Sequence, residues 1–400
     1  MNPALLAAVA LSLAQAAPPA PPAPASPPAP TRPQPPARKG APGSTDFRRV
    51  EPPMVPGVAV RFPGLEAWVQ GEPESDFRPG TVYVFEFFHT NCAQCREWAS
   101  LIHELARVNE AKGARFVAIS EEPAEALRAW LDQPGRRESM PYAVVSDPDR
   151  SAMNTFQNGT FRNFNPRFFV VKDGVVQWYG HPNQAEKPLE RIMAGDWDPA
   201  AARPEAALDA QVSLAKSRLD AMAVECNDSG DWTRMYQLLD SVIAAIPERA
   251  GQYKAQRVLL MIGLGDQVDA GYEYARQVAR DHGGEANTMR LLARAVLAAP
   301  YTRRRDVDFG LACAEAADRL TDGKDARAAD VVALAWFSKG DAGKAIEHEA
   351  RAVALEQGAK QRREYERALE HYRTADAGPA PVRQPPKPGG AAPPQAPGAE

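Results

Sequence analysis

The sequence predicts an α/β domain with a mixed, mainly parallel central sheet, followed by an all-α domain of helical repeats. Three observations predict this: strand-like and helical stretches alternate before residue 200, helical hydrophobic spacing prevails after it, and Gly-Asp pairs recur in the second half. Alternating strands and helices are typical of parallel sheets. We place the boundary at residues 198–204, so the two domains are predicted at 46–198 and 199–375.

The composition limits the classes of function. The chain has 400 residues and a net charge of −4, from 47 basic and 51 acidic side chains, so it lacks the basic excess of a nucleic-acid-binding protein. Four cysteines exclude a disulfide-rich scaffold but leave room for one reactive pair. The 38 prolines are concentrated at the two ends of the chain.

Both ends of the chain predict segments outside the folded domains. Residues 1–17 fit a signal peptide, because their apolar run is shorter than the roughly 20 residues of a membrane span and ends at Ala14-Gln15-Ala16, a small-x-small cleavage site. A buried helix or an apolar tail is the alternative. Residues 18–45 and 376–400 are rich in Pro and Ala and are predicted to be a disordered linker and tail. We expect an exported protein, periplasmic or extracellular, that is soluble after signal removal.

In the first domain, the run at 81–88 is almost continuously apolar and predicts a strand buried on both faces. A helical pattern follows Cys95 and continues through Val108. Asp173-Gly174 predicts a hairpin turn between the last two strands. The remaining predicted elements are strands at 115–120, 142–146, 167–172 and 175–179 and helices at 121–132, 151–156 and 184–193.

Cys92 and Cys95 are the predicted catalytic pair. They form a CxxC sequence that directly follows the buried strand and opens a helix. This position places Cys92 at the helix N-terminus, where unsatisfied N–H groups and the helix dipole stabilise a thiolate. A thiolate is the nucleophile in disulfide exchange, and Cys95, one turn later, can attack a mixed disulfide on Cys92. We therefore predict that Cys92 is the nucleophile and Cys95 the resolving thiol.

Two alternatives to redox chemistry are a metal site and a purely structural disulfide. A zinc site requires a second pair of ligands. Cys226 and Cys313 are remote from the motif, and His89 and His103 flank it without the usual spacing. We therefore expect neither a metal nor an organic cofactor. The sequence does not decide whether Cys226 and Cys313 are buried thiols or a second disulfide.

The first domain resembles the thioredoxin-fold domain of the envelope disulfide-reductase (TlpA/ResA-like) family. The segments that carry this resemblance are the strand VYVFEFF, the CxxC motif, Asn165-Pro166 before the strand RFFVV, the hairpin KDGVV and Gly180-His181-Pro182. The resemblance implies a thioredoxin-like fold and a reductase acting on protein disulfides. It also implies a redox partner protein, with a membrane-bound electron donor as one form of that partner.

The resemblance assigns supporting roles to Glu86, Asn165 and Pro166. Pro166 matches a cis-proline beside the cysteine pair, and the backbone before it, at Asn165, matches the segment that pairs with the substrate chain. Glu86 matches a buried acid that exchanges protons with the second cysteine. A buried carboxyl has a raised pKa, which suits proton transfer near neutral pH. The alternatives are an ordinary trans proline and a glutamate that faces solvent or pairs with a base.

The second domain resembles degenerate tetratricopeptide repeats. Its Gly-Asp pairs begin at Gly230, Gly265 and Gly340, so 35 and then 75 residues separate them. These intervals are close to one and two periods of the 34-residue helix–turn–helix repeat, which suggests four repeats. A generic helical bundle is the alternative. Stacked repeats form a concave face, which we expect to bind a partner protein.

Together these observations predict an exported thiol–disulfide oxidoreductase that acts as a reductase through Cys92 and Cys95. The predicted partners are a protein disulfide substrate, a redox partner and a protein bound by the repeats. A different class, an adaptor with a redox-idle thioredoxin fold, is disfavoured by the intact cysteine pair. A peroxide-reducing enzyme is weaker still, because the Pro, Thr and Arg surroundings of a peroxidatic cysteine are not evident.

Overall fold

The computed structural model describes residues 44–65, 67–157, 160, 166–263, 267–299, 302 and 304–378. Contacts between residues divide the described chain into two compact units. We name residues 49–215 the sheet unit, and residues 44–48 together with 216–378 the helical unit. The predicted signal peptide, almost all of the predicted linker and most of the predicted tail lie outside the described residues. Within the described ranges, none of the helices combines the length and the apolar character needed to cross a membrane.

The sheet unit contains one mixed sheet with the strand order β1-β4-β3-β2-β5-β6. Strands β2, β3 and β4 are parallel, whereas β1, β5 and β6 pair antiparallel with their neighbours. This arrangement confirms the predicted mixed sheet. The strands are β1 Ala67–Gln70, β2 Val82–Phe87, β3 Arg115–Ser120, β4 Ala143–Ser146, β5 Arg167–Lys172 and β6 Val175–Gly180.

Helices cover both faces of this sheet. They are α1 Ala93–Glu110, α2 Ala124–Leu131, α3 Arg136–Ser139, α4 Ser151–Phe156 and α5 Glu186–Ala194. Residues of α1, α2 and α5 form one apolar core with Val82 and Val84, and α4 forms another with Tyr83 and Phe85. Side chains alternate between faces along a strand, so β2 contributes to both cores and is buried along its whole length. The unit therefore has a three-layer, thioredoxin-like fold.

The hairpin between β5 and β6 turns at Asp173 and Gly174, as predicted. Both residues have positive φ, 51° and 71°. A two-residue turn with positive φ at both positions matches the right-handed twist of the flanking strands, and Asp-Gly tolerates this conformation well. Asp173 also accepts a hydrogen bond of 2.7 Å from the backbone N–H of Gly80.

The chain passes from the sheet unit into the helical unit inside one long helix, α6 Pro199–Ser229. The helical unit then contains α7 Thr233–Ala245, α8 Ala250–Gly263, α9 Val268–Asp281, α10 Ala286–Ala298, α11 Val307–Leu320, α12 Ala326–Lys339, α13 Ala342–Leu355 and α14 Ala359–Thr374. A continuous apolar core runs from α8 to α12. The second half of the chain is therefore all-helical, as predicted.

Helices α7 to α14 form four consecutive pairs. The first helices of these pairs begin at Thr233, Val268, Val307 and Ala342, so the successive intervals are 35, 39 and 35 residues. The pair that begins at Val307 lies within the 75-residue interval between Gly265 and Gly340. Asp306 replaces the Gly-Asp pair there and caps α11 by accepting a hydrogen bond from Phe309.

A short segment from before the sheet unit packs on α6 and α7 of the helical unit. We name residues 44–48 the Phe47 clip. The backbone N–H of Phe47 donates to Ser241 Oγ at 2.6 Å, and the Arg218 guanidinium donates at 2.8 Å to the carbonyls of Asp46 and Ser44. The Phe47 side chain is buried and lies under the same guanidinium. The Ser241 hydroxyl also donates to the Phe47 carbonyl at 3.2 Å, so four polar contacts and one aromatic anchor hold the clip.

Candidate active site

Cys92 is the N-cap residue of α1, where the sequence places it. Strand β2 is buried and ends at Phe87, and a short loop then leads into the helix. The backbone N–H of Cys95 donates to Cys92 Sγ at 3.0 Å, so the sulfur occupies the place that an oxygen takes in most N-caps. The N–H of Cys92 donates to the carbonyl of His89 at 2.9 Å, which fixes the start of the turn.

Cys92 and Cys95 form a disulfide with Cα atoms 5.2 Å apart. This separation lies within the usual range for disulfides. Cys92 is half-buried, whereas Cys95 is buried and belongs to the apolar core between the sheet and α1. An incoming sulfur atom can therefore reach Cys92 more easily than Cys95, which matches the predicted order of nucleophile and resolving thiol.

Glu86 is buried in the middle of the sheet, with 3% of its surface exposed. Its neighbours across the sheet are Ala118 and Phe168, which offer no charge. The Tyr142 hydroxyl donates a hydrogen bond of 2.7 Å to Glu86 Oε2. Burial raises the pKa of Glu86 to about 7, and the Tyr142 hydrogen bond acts in the opposite direction. Glu86 therefore does not face solvent and does not pair with a base.

A cavity of about 460 Å³ brings Glu86, Tyr142 and Cys95 together. Its wall also includes Trp130, and the Arg136 guanidinium lies 4.8 Å from the centre of that indole ring. The cavity thus places the buried carboxyl and the buried sulfur in one space. A shared space is a condition for moving a proton between them, directly or through water.

A carboxylate that the sequence analysis did not single out holds the loop before the cysteines. Glu122 accepts hydrogen bonds from the backbone N–H and the hydroxyl of Thr90, at 2.8 and 2.5 Å. The Ser120 hydroxyl donates to the same carboxylate at 3.0 Å. Because β2 and β3 are parallel neighbours, their carboxyl ends meet at one edge of the sheet. The position of Glu122 just after β3 is the signal that could have predicted this contact.

Pro166 is buried and lies directly before β5, the strand that pairs with β2. Asn165 lies outside the described residues, so the isomer of the bond between them is not described. The next residue, Arg167, is completely buried. Its guanidinium donates to Thr160 Oγ1 at 2.6 Å and lies over the rings of Phe169 and Tyr179. No local sequence pattern indicates that this arginine is internal.

The other two cysteines have a different environment. Cys226 and Cys313 are free thiols buried in the helical unit. Burial raises the pKa of both, to about 12 for Cys313. The question left open by the sequence is thus answered: they do not form a second disulfide. Among the residues that the structure describes, no three His, Cys, Asp or Glu side chains are grouped so that they could hold a metal ion.

The strand order and the flanking helices define the sheet unit as a thioredoxin-like domain, and it carries a CxxC disulfide. Residues 70–179 match the AhpC/TSA family. This match runs from the last residue of β1 to Tyr179 in β6 and includes the cysteine pair. It lies within the sheet unit.

Individual proteins are similar to about a third of the chain. Protein FixW of Rhizobium leguminosarum is 27% identical over 141 residues, which cover 33% of this chain and 63% of FixW, so the chain spans less than two thirds of that relative. Among solved structures, MTB dsbF is 15% identical and covers 33% of this chain and 96% of its own, with a TM-score of 0.26. A thiol-disulfide isomerase from Corynebacterium glutamicum is 16% identical, and the match covers 36% of this chain and 97% of the isomerase, with a TM-score of 0.28.

Proposed function

We propose that this protein is an exported thiol–disulfide reductase that exchanges disulfides with protein partners through Cys92 and Cys95. The observation that carries this proposal is the asymmetry of the pair, in which one sulfur caps a helix and is half-buried while the other is buried beside Glu86. An exposed nucleophile and a protected resolving thiol are what two-step disulfide exchange requires.

The reaction begins with the reduced pair. The Cys92 thiolate attacks one sulfur of the substrate disulfide, so that a mixed disulfide forms and the other substrate sulfur leaves as a thiolate. Cys95 then loses its proton and attacks Cys92 Sγ, which releases the second substrate thiolate. The substrate gains two electrons and the cysteine pair loses two. A redox partner protein, with a membrane-bound electron donor as one form of it, returns the electrons.

Glu86 is the proposed acceptor of the Cys95 proton. It lines the same cavity as Cys95, and its pKa of about 7 means that it is about half ionised at neutral pH. A base with a pKa near the working pH is the most effective proton acceptor. The family resemblance at Glu86 supports the same role.

Export and the helical unit complete the proposal. The first 17 residues are proposed to direct the chain to a compartment where disulfides persist. The four helix pairs are proposed to be tetratricopeptide-type repeats, because their starts recur at 35 to 39 residues. Such repeats would bind a partner protein and keep it near the cysteine pair.

The proposal is tested by insulin-disulfide reduction with dithiothreitol as the electron source. We expect the wild-type rate to exceed that of Cys92→Ser by at least about a hundredfold, and we expect Cys95→Ser to accumulate a mixed disulfide. Cys313→Ala is the matched control, since it removes a buried thiol of the helical unit. A wild-type rate no higher than that of Cys92→Ser would contradict the proposal and favour the adaptor.

The direction of electron flow is tested by a redox titration of the purified protein. A reduction potential near that of thioredoxin, about −270 mV, supports a reductase. A potential near −120 mV, roughly that of strongly oxidising periplasmic proteins, would contradict it.

A further inference from the structure

We propose that Tyr142 is a positioning residue that holds Glu86 in place and keeps its carboxyl ionisable near neutral pH. This inference rests on the proposed function, because it concerns the proton transfer of that same site. It starts from one contact: the Tyr142 hydroxyl donates to Glu86 Oε2 at 2.7 Å, inside the cavity that Cys95 also lines.

Tyr142 supplies the direct hydrogen bond that the structure gives to the Glu86 side chain within the described residues. The neighbouring strands present only Ala118 and Phe168 beside Glu86. A carboxylate in such apolar surroundings is disfavoured unless a donor stabilises it. The tyrosine therefore offsets part of the desolvation, and without it Glu86 would hold its proton at neutral pH.

The hydrogen bond also sets the geometry of the proton transfer. The tyrosine occupies Oε2 and fixes the carboxyl plane, so Oε1 is the oxygen left to accept the proton from the Cys95 thiol. The thiol proton moves to Oε1, and the sulfur keeps the electron pair for its attack on Cys92 Sγ. Tyr142 keeps its own proton throughout, since burial and the nearby Glu86 raise its pKa well above the usual value.

The other titratable or charged groups around Glu86 lie on the cavity wall. They are His89 from the loop before α1, Arg96 from the first turn of α1, Arg136 from α3, and Cys95 itself. Glu110, at the end of α1, acts on Tyr142 and raises its pKa further. Among the described residues, it is Tyr142 rather than any of these groups that donates a hydrogen bond to the Glu86 carboxyl.

The test is a titration of Glu86 in the oxidised full chain, in which neither cysteine ionises. Glutamate carrying carbon-13 at the side-chain carboxyl is followed by NMR, and Glu86→Gln assigns the signal. We expect Tyr142→Phe to move the midpoint to higher pH, so that the ionised fraction at pH 7 falls about fivefold. An unchanged or lowered midpoint would overturn the inference.

The chain offers a matched control on β2, the strand of Glu86, at a position that faces the other side of the sheet. Tyr83 donates to Glu74 at 2.6 Å and is completely buried, but it faces away from Cys95. Tyr83→Phe should leave the Glu86 midpoint unchanged. If Tyr142→Phe does not fold, the NMR signal of the Tyr142 ring in the wild-type chain is followed across the pH titration instead. That signal should shift at the Glu86 midpoint and lose the shift in Glu86→Gln, and a flat signal would overturn the inference.

Kinetics separate this inference from the proposed function. If the proposed function holds, the acidic limb of the pH profile for substrate release moves to higher pH in Tyr142→Phe and is absent in Glu86→Gln. If wild type releases no substrate, the proposed function fails while the NMR midpoint still decides the role of Tyr142. If release is normal and the limb does not move, the inference fails alone.

Discussion

Each unit of this protein contains a buried glutamate with a raised pKa, and the two glutamates differ in their surroundings. Glu86 in the sheet unit lies beside a disulfide, lines a cavity and accepts a hydrogen bond. Glu349 in the helical unit is completely buried, and neither of its oxygens has a hydrogen-bond partner among the described residues. Burial and the negative charge of Asp330 raise the pKa of Glu349 to about 9.

The difference shows that a shifted pKa does not by itself identify a functional acid. Perturbed groups are concentrated at active sites, but structural ion-pair networks perturb pKa values as well. Glu349 belongs to such a network, since Asp330 forms an ion pair of 3.1 Å with Arg294 nearby. What distinguishes Glu86 is its position beside a reactive sulfur, in a space where a proton can be exchanged.

The thiols of the two units should differ even more than the acids. After reduction, we expect iodoacetamide at pH 7 to label Cys92 at least about a thousandfold faster than Cys313. With a pKa of about 12, Cys313 is ionised to about one part in 10⁵ at pH 7, whereas an ordinary cysteine is ionised to a few per cent. A mass-spectrometric time course measures both rates. Labelling in urea, where all four thiols should react alike, is the control, and equal native rates would refute the contrast.

Removing the two carboxyls should separate their roles. We expect Glu86→Gln to slow the release of a peptide from its mixed disulfide with Cys92 by about a hundredfold at neutral pH, the usual effect of losing a proton acceptor. Glu349→Gln, the matched control, should change the rate by less than about twofold. Stopped-flow fluorescence of a labelled peptide measures the release. A similar loss in both variants would mean that Glu86 has no special function.

The same carboxyls should influence stability over different ranges of pH. In the folded chain each binds its proton more tightly than in the unfolded chain, so its contribution is full below pH 4.5 and is lost as pH rises, through about 7 for Glu86 and about 9 for Glu349. Between pH 7 and 9, Glu349→Gln should therefore lose about 2 kcal/mol less stability than wild type. Glu86→Gln should follow wild type over this range.

Urea unfolding of the full chain, followed by far-UV circular dichroism, measures these changes at each pH. If the unfolding free energies of wild type and Glu349→Gln changed equally with pH, the prediction for Glu349 would be wrong.

The helix caps provide the smallest expected effect. Asp341 caps α13 with a carboxylate that accepts from the Lys344 N–H at 3.0 Å, whereas Cys92 caps α1 with sulfur. Asp341→Ala should cost about 1 kcal/mol of unfolding free energy and leave disulfide exchange unchanged. Relative to the reduced wild type, which has no Cys92–Cys95 cross-link to lose, Cys92→Ser should keep the stability and lose disulfide exchange, because the serine oxygen is itself a good cap. The unfolding midpoints of both variants measure this, and a large stability loss in Cys92→Ser would contradict it.

Much of the sheet unit could be predicted because its signals are local. The strands β3 and β5 and the helix α4 have the predicted bounds, β2 is one residue shorter than predicted at each end, and β6 is one residue longer at its end. The strand β1 was not predicted, since four residues, Ala67–Gln70, are too few to establish a period. The starting residue of the third helix pair was not predicted, because Asp306 caps its first helix without a glycine before it.

The candidate site was only partly predictable for a similar reason. The positions of Cys92, Cys95 and Glu86 follow from their places relative to one strand and one helix. The contact between Tyr142 and Glu86 joins residues 56 positions apart, since Tyr142 lies just before β4 and β3 separates β4 from β2. A tyrosine before an apolar strand carries no sign of its partner, so this contact required the structure. The domain limits at 198 and 199 stay a prediction.

The Phe47 clip has a consequence for how the gene can be divided. The helical unit includes residues on both sides of the sheet unit, so the sheet unit is an insertion within it rather than a domain placed before it. A truncated protein that starts at the first residue of α6 would lack Phe47 and would leave Arg218 without the carbonyls of Ser44 and Asp46. Excising 49–215 and joining the flanks with a short loop would keep the clip, and is the cut that should yield an intact helical half.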